Sequence, residues 1–243
     1  FSYYAFHQLE SHAARMRWRS RGDFSIQMVL RTPYGAGVKA LEHHSESREA
    51  YYAHTPGLKM VIPSSPRNAR ALLVSAIRDP DPVVFYEPKA IYRAFREDVP
   101  EESETIPLGQ ARVVREGSDV TVVSYGAMMS RVNEAVEQLT EDDGIDPEVI
   151  DLLTISPLDH ETVAQSVEKT GRLVTVNETP RSFGPASEIA FRIMEQSFWY
   201  LEAPVRRVTG FDVIVPMFAY EQDYLPGVDR IVHAVRETVS IEP

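Results

Sequence analysis

Cysteine is absent from all 243 residues. That excludes disulfides, thiolate nucleophiles and cysteine-ligated metal, and it suits a reducing compartment. No apolar run reaches the roughly 18–20 residues that a membrane-crossing helix needs, and no signal-peptide pattern opens the chain. Glycine is sparse, 12 in all, and nowhere forms a phosphate cradle. Tyr34-Gly35-Ala36-Gly37 follows a strand-like run but lacks a third glycine on a helix. No GxGxxG follows Ser124, and neither a P-loop nor a nucleophile elbow is present. A self-contained nucleotide-binding enzyme is disfavoured on that ground. Basic residues are outnumbered 25 to 36, for a net charge of -11. A field of that sign repels nucleic acid and anionic membrane and would welcome a basic partner domain.

Hydrophobic residues make up 43% and charged residues 25% of the chain, which is ordinary for a globular protein with a substantial core. The chain begins at Phe1 rather than Met and is expected to be a processed, truncated or partly ordered fragment. Residues 3–19 have helical spacing at Phe6, Leu9, Ala13 and Met16, with a basic exit at Arg15, Arg17, Arg19 and Arg21 and a stop at Gly22. A buried strand is expected at 25–30, a short helix within 47–54, a strand at 58–62, a helix over 65–77 with Pro66 in its first turn, and a strand at 83–86. The rhythm of strand and helix, with no hairpin signal, predicts a parallel sheet. Residues 87–109 carry Pro88, Pro100, Pro107 and an acidic run, and mark a linker or a solvated loop.

Beyond it the rhythm is clearer. Strands are expected at 120–124, 148–152, 173–176 and 205–208. Helices are expected with inner faces at Val132, Ala135, Val136 and Leu139; at Val163, Ala164 and Val167; at Ile189, Ile193 and Met194; and at Val228, Ile231, Val232 and Val235. An open, doubly wound α/β domain of about five strands is the natural assembly.

The chemistry is expected between residues 31 and 64. There a polar loop joins two apolar runs and carries Glu42, His43, His44 and Glu46. His44 is the leading candidate, since imidazole passes protons near neutral pH and Glu42 or Glu46 would orient it. The alternative is a loop histidine that only hydrogen-bonds. The spacing of the two histidines matches no HExxH helix. His7 and His12 fall on a helix surface, and His54 precedes a Pro56-Gly57 turn. Phe1, Tyr3, Tyr4 and Phe6 offer either a stacking surface for a flat heterocycle or core packing.

Several runs, in order, carry a resemblance: SHAARMRWRSRG, RTPYGAGV, HHSESREAYYAHTPGLKMVIPSSP, AIRDPDPVVFYEPKAIYR, APVRRVTG and YLPGVDRI. Together they resemble the beta subunit of the thiamine-diphosphate-dependent 2-oxoacid dehydrogenases, the E1 components of the pyruvate and branched-chain complexes. The likeness spans essentially the whole chain. It implies two three-layer α/β/α domains. Residues 1–105 would be the C-terminal part of a transketolase-like pyrimidine-binding domain with its linker, and residues 106–243 a transketolase C-terminal-like domain.

The resemblance further implies thiamine diphosphate with Mg2+, shared with an alpha subunit in a heterotetramer of two alpha and two beta chains. His44 matches the loop histidine that assists transfer of the acyl group to lipoyl, with Glu46 where the family has glutamine. Phe1 matches an aromatic residue facing the aminopyrimidine, whereas the family's ring-nitrogen glutamate lies ahead of the residues given. A structural K+ would be bound by Met28, Ala76, Ile77, Asp79 and Asp81, with Asp81 in place of the usual asparagine. Docking of the E2 lipoyl acyltransferase to the C-terminal domain is implied, as is location in the cytoplasm, or in the mitochondrial matrix of a eukaryote. Pyruvate, a branched-chain 2-oxo acid or a broad range all suit the resemblance. The rivals are another transketolase-like enzyme, whose GDG…N diphosphate motif is not found here, and a non-catalytic structural or E2-docking subunit.

Overall fold

The computed structural model describes residues 2–102 and 104–242. Among these residues the strands are β1 Val29–Tyr34, β2 Lys59–Val61, β3 Val83–Pro88, β4 Arg112–Arg115, β5 Val120–Ser124, β6 Pro147–Asp151, β7 Thr154–Ser156, β8 Leu173–Val176 and β9 Arg206–Val208. The helices are α1 Phe6–Gln8, α2 Met16–Arg19, α3 Leu41–Ser45, α4 Glu49–Ala53, α5 Pro66–Arg78, α6 Met128–Asp143, α7 His160–Thr170, α8 Pro185–Gln196, α9 Glu221–Tyr224 and α10 Val228–Val239. None is long and apolar enough to cross a membrane.

Two sheets result. The first has the order β1-β3-β2-β7 and the second β4-β6-β5-β8-β9. Strands β1, β2 and β3 are parallel, as are β5, β6, β8 and β9. The expectation of purely parallel sheets is corrected at two places. Strand β4 runs antiparallel on the edge of the second sheet; its residues are mostly exposed, so it lacks the apolar run that marks a buried strand. Strand β7 runs antiparallel to β2, so a segment from the second half of the chain completes the first sheet. Leu153, at φ 56°, turns the chain between β6 and β7.

The first strand also lies later than expected. It occupies Val29–Tyr34 rather than 25–30, and includes Pro33 opposite Glu87. Proline is tolerated because β1 is an edge strand and needs no ladder N–H there. The N-terminal helix is not continuous either. After α1 a π turn spans Leu9–Ala13, closed by the Ala14 N–H donating to the Leu9 carbonyl at 2.8 Å, and α2 follows. That turn brings Leu9 and Ala14 into the core. It also sets the Ala14 carbonyl where a Cβ on Gly57 would lie 2.1 Å away, so the Pro56-Gly57 turn is the groove into which the helix packs.

Helix faces follow the 3.6-residue period. In α6, Val132, Ala135, Val136 and Leu139 are buried, and α10 buries Ile231, Val232 and Val235 beside them against one face of the second sheet. Val163, Ala164 and Val167 of α7 cover the other face together with Ile189 and Ile193 of α8. Met194, expected on that stripe, is 43% exposed, since five residues at 100° each place it well away from Ile189. Ser65 caps α5, accepting the Asn68 N–H at 3.3 Å with Pro66 in the first turn, a cap that contributes about 1 kcal/mol. Gly144 and Gly171 end α6 and α7 in the left-handed conformation.

One apolar core runs beneath both sheets. Met60, Val84 and Tyr86 of the first sheet join Val123, Ile150 and Leu173 of the second. Polar groups stitch the same junction. The Ser64 hydroxyl donates to the Asp151 carboxylate, Asn68 Nδ2 to Ser64 Oγ at 3.0 Å, and Arg112 Nη1 to Asn68 Oδ1 at 3.3 Å. Burial pushes the Asp151 carboxyl up to about 7.

Candidate active-site loop

In the second sheet β5 lies between β6 and β8. The chain leaves β5 through α6 to one side and returns through α7 to the other. The crevice at the carboxyl ends of β5 and β8 is therefore the topological switch point, where open α/β sheets place ligands. Glu178 stands two residues past β8, and the loop that leaves β1 runs into this crevice.

That loop is held in an uncommon backbone conformation. Gly35 and Gly37 have φ values of 86° and 97°, and Lys39 and Leu41 have φ of 57° and 66° without being glycine. A left-handed Lys or Leu costs on the order of 1–3 kcal/mol, so the surrounding contacts must over-determine the loop. They do so through two buried carboxylates. The Ala36 N–H donates to Glu178 Oε2 at 2.9 Å. A Cβ on Gly35 would come within 2.6 Å of Glu178 Oε1, so only glycine allows this approach. Further along, the Lys39 N–H donates to Glu221 Oε2 at 2.8 Å and the Ser45 hydroxyl to Glu221 Oε1 at 3.2 Å.

Burial pushes Glu178 up to about 7, opposed by the bond from Ala36 and by the charges of Arg131 and Lys89. Lys89 donates from Nζ to the His44 main-chain carbonyl; burial lowers its pKa while Glu178 and Glu221 oppose the shift.

His43 and His44 occupy the last turn of α3 and are exposed. Their ring centroids are 5.3 Å apart with the planes tilted by 36°, and His43 lies 6.5 Å from the ring of Tyr3. Neither expected carboxylate partner reaches His44. Glu46 instead accepts from Arg48 at 2.8 Å, because that guanidinium is two residues away and also lies over the rings of Tyr3 and Tyr51. Burial raises Tyr3 to about 12.

Glu42 Oε2 and Ser47 Oγ are buried without a hydrogen-bond partner among the described residues, and the buried Glu49 carboxyl faces the equally buried Tyr125 hydroxyl. Glu42, Ser47 and Glu49 all lie within five positions of His44. Glu42 and Ser47 thus have hydrogen-bonding capacity to spare beside His44. Burial drives Glu49 up to about 8, so its protonated form also has a donor to offer.

Of the residues expected to hold a cation, Ala76, Ile77 and Asp79 lie at the end of α5 and Asp81 just beyond it, and the Met28, Ala76 and Ile77 carbonyls each accept a hydrogen bond from a different donor. The Met28 carbonyl accepts from the Val83 N–H at 2.9 Å, the Ile77 carbonyl from Gln27 Nε2 at 2.8 Å and the Ala76 carbonyl from the Asp79 N–H at 3.4 Å. Asp79 is gripped by Lys59 Nζ at 2.6 Å and Asp81 by Arg17 at 2.5 Å. The two carboxylates are thus already neutralised by side-chain cations. No group of three or more His, Asp or Glu side chains converges to hold a metal ion among the described residues. Phe1, the expected cofactor contact, lies outside the described residues.

Sequence reasoning missed Glu178 and Glu221. The only local sign of the first is an acidic residue directly after a buried strand at the switch point. The second carries no local sign, since α9 is a single turn following an irregular segment.

Comparison with known proteins bears on the same elements. Residues 1–94 match the transketolase pyrimidine-binding domain family and residues 109–231 the transketolase C-terminal domain family. The pyruvate dehydrogenase E1 component subunit beta of Acholeplasma laidlawii is 48% identical over 243 residues, covering 100% of this chain and 74% of that protein. That of Bacillus subtilis is 44% identical over 239 residues, 98% of this chain and 73% of the relative. The mitochondrial 2-oxoisovalerate dehydrogenase subunit beta of Dictyostelium discoideum is 45% identical over 236 residues, 97% of this chain and 64% of its own. Among solved structures, a split-gene transketolase described as an inactive beta4 tetramer superposes with a TM-score of 0.74 at 24% identity, over 88% of this chain and 67% of that one. That likeness concerns the fold alone.

Proposed function

Because the chain belongs to the family of E1-component beta subunits of the 2-oxoacid dehydrogenases, we propose that its α3 loop forms one wall of a thiamine-diphosphate site shared with an alpha subunit. The enzyme decarboxylates a 2-oxo acid and passes the acyl group to a lipoyl group of E2, and this chain acts in it only together with its alpha partner. The observation that carries the placement is the loop itself: an exposed imidazole on a conformationally costly turn that Glu178 and Glu221 hold by hydrogen bonds to Ala36, Lys39 and Ser45. Residues 1–105 are assigned to the pyrimidine-binding part and 106–243 to the C-terminal part, with β7 linking them.

When bound, thiamine diphosphate supplies the electron sink that decarboxylation of a 2-oxo acid requires. The aromatic Phe1 is assigned to the aminopyrimidine, and the diphosphate with its Mg2+ to the alpha subunit. This chain contributes position and proton transfer. Glu178 and Glu221 hold the loop, and Lys89 holds the His44 carbonyl. The His44 imidazole gives a proton to the lipoyl sulfur that is released as the acyl group bonds to the other sulfur of the disulfide. In the assembled enzyme, His44→Ala is expected to slow lipoyl acylation by about 10²–10⁴-fold with cofactor affinity little changed. Wild-type transfer rates in that variant would remove His44 from the mechanism.

Two further assignments accompany this one. The acidic surface, at a net charge of -11, suits a basic subunit-binding domain of E2, whose association should weaken with salt; binding unaltered at high salt would refute the electrostatic part. A potassium ion at the end of α5 would rest on the carbonyls of Met28, Ala76 and Ile77, beside the Asp79 and Asp81 pairs. Replacing potassium with choline then lowers the melting temperature, and an unchanged value would refute that site.

A further inference from the structure

The geometry points to Glu221 as a positioning residue for His44, a role that rests on the assignment of His44 to acyl transfer. Its side chain is 1% exposed, and its two oxygens serve opposite ends of one short element. Oε2 takes the Lys39 N–H before α3, and Oε1 takes the Ser45 hydroxyl at its end, one residue beyond His44. Between these two bonds lie the non-glycine residues Lys39 and Leu41 with positive φ, a conformation that persists only where something holds it. One carboxylate from α9 therefore clamps both feet of the turn that presents the imidazole. Glu178 acts farther back, on Ala36 at the start of the loop, and makes no hydrogen bond to α3 among the described residues. A neutral or shorter side chain at 221 cannot accept both bonds with full charge assistance, and the turn would relax toward ordinary backbone angles, displacing the ring.

The consequence is specific. Displacement of the acid group by about an ångström is enough to cost on the order of a hundredfold in a positioned step, while the chemistry that precedes acyl transfer does not use His44. In the enzyme assembled from alpha and beta chains, two rates are compared: decarboxylation read with an artificial electron acceptor, and acylation of a free lipoyl domain. Glu221→Ala is expected to lower the ratio of acylation to decarboxylation by about ten- to a hundredfold. Hydrogen exchange in residues 37–45 should rise in parallel. Glu221→Gln, which keeps an acceptor oxygen, should recover part of the ratio, and Ser45→Ala, which cuts one bond, should show a smaller loss of the same kind.

Combining Glu221→Ala with His44→Ala separates the two assignments. If Glu221 acts through His44, the double variant acylates no more slowly than His44→Ala alone. Multiplied losses, or an unchanged ratio in Glu221→Ala while His44→Ala is impaired, would overturn the clamp. Wild-type acylation by His44→Ala would instead overturn the assignment of His44. Should Glu221→Ala fail to assemble, the ratio and exchange in Ser45→Ala and Glu221→Gln decide, and wild-type values in both would overturn the clamp.

Discussion

Replacing Glu49 by glutamine should make the protein more resistant to alkaline conditions. Glu49 sits in α4, fully buried, with the buried Tyr125 hydroxyl as its polar neighbour. Burial lifts its carboxyl from the ordinary 4.5 to about 8, and the neighbouring charge of Glu178 adds to the rise. In the unfolded chain the same group ionises near 4.5. Between those values the folded state keeps a proton that the unfolded state has lost, so stability falls as pH rises. The full contribution is present below pH 4.5 and is lost through pH 8. Each unit is worth about 1.4 kcal/mol, so the stretch from pH 6 to pH 8 costs about 2–3 kcal/mol, and little more is lost above it. Glutamine has the same shape and does not titrate. Urea denaturation of Glu49→Gln and wild type at pH 6 and pH 9 should therefore show the difference between them moving by about 2–3 kcal/mol in favour of the variant at pH 9. A difference that stays constant within about 0.5 kcal/mol between the two pH values would show that Glu49 does not retain its proton in the fold.

Gly57→Ala should loosen the N-terminal helical segment, because φ is 93° and the new Cβ would fall 2.1 Å from the Ala14 carbonyl. A loss of more than about 1 kcal/mol with faster tryptic cleavage at Arg15 or Arg17 is expected, and unchanged cleavage would contradict that packing. Leu72→Ala removes a fully buried side chain of α5 that packs with Val61, Phe85 and Leu153. A cost of about 2–5 kcal/mol is expected from lost burial and the cavity, measurable as a lower denaturation midpoint. Lys59→Met leaves the Asp79 carboxylate, 13% exposed, without its closest cation. About 1–2 kcal/mol of destabilisation is expected for this partly screened pair, and a variant as stable as wild type at low salt would show that the pair contributes nothing.

Much of this molecule was legible along the chain, and the parts that were not share one property. Strand β8 and the inward faces of α6, α7 and α10 are found where their apolar spacing places them, because burial of one face imposes a period on a local stretch. The short helix α4 lies within 47–54 and α5 starts at Pro66, as their local sequence leads one to expect, although no side chain caps α4. Strand β1 was displaced because Arg31 and Pro33 argue against a strand, and only the free edge of the sheet removes that objection. Strands β4 and β7 have no apolar run long enough to declare themselves. The pairing of Glu46 with Arg48 instead of His44 also depended on Tyr3 and Tyr51 arriving beside the guanidinium.

The amino-acid order alone determined the α/β rhythm, the helix faces, the histidine-bearing loop and, through motifs that survive in sequence, the family. The tertiary structure decided what grips that loop. Glu178 and Glu221 meet it from 142 and 182 positions away in the chain, and a carboxylate's partner at that separation is set by how two sheets pack, not by any repeat within reach of its neighbours. Periodicity records which side of an element faces the core; it holds no record of which element stands opposite.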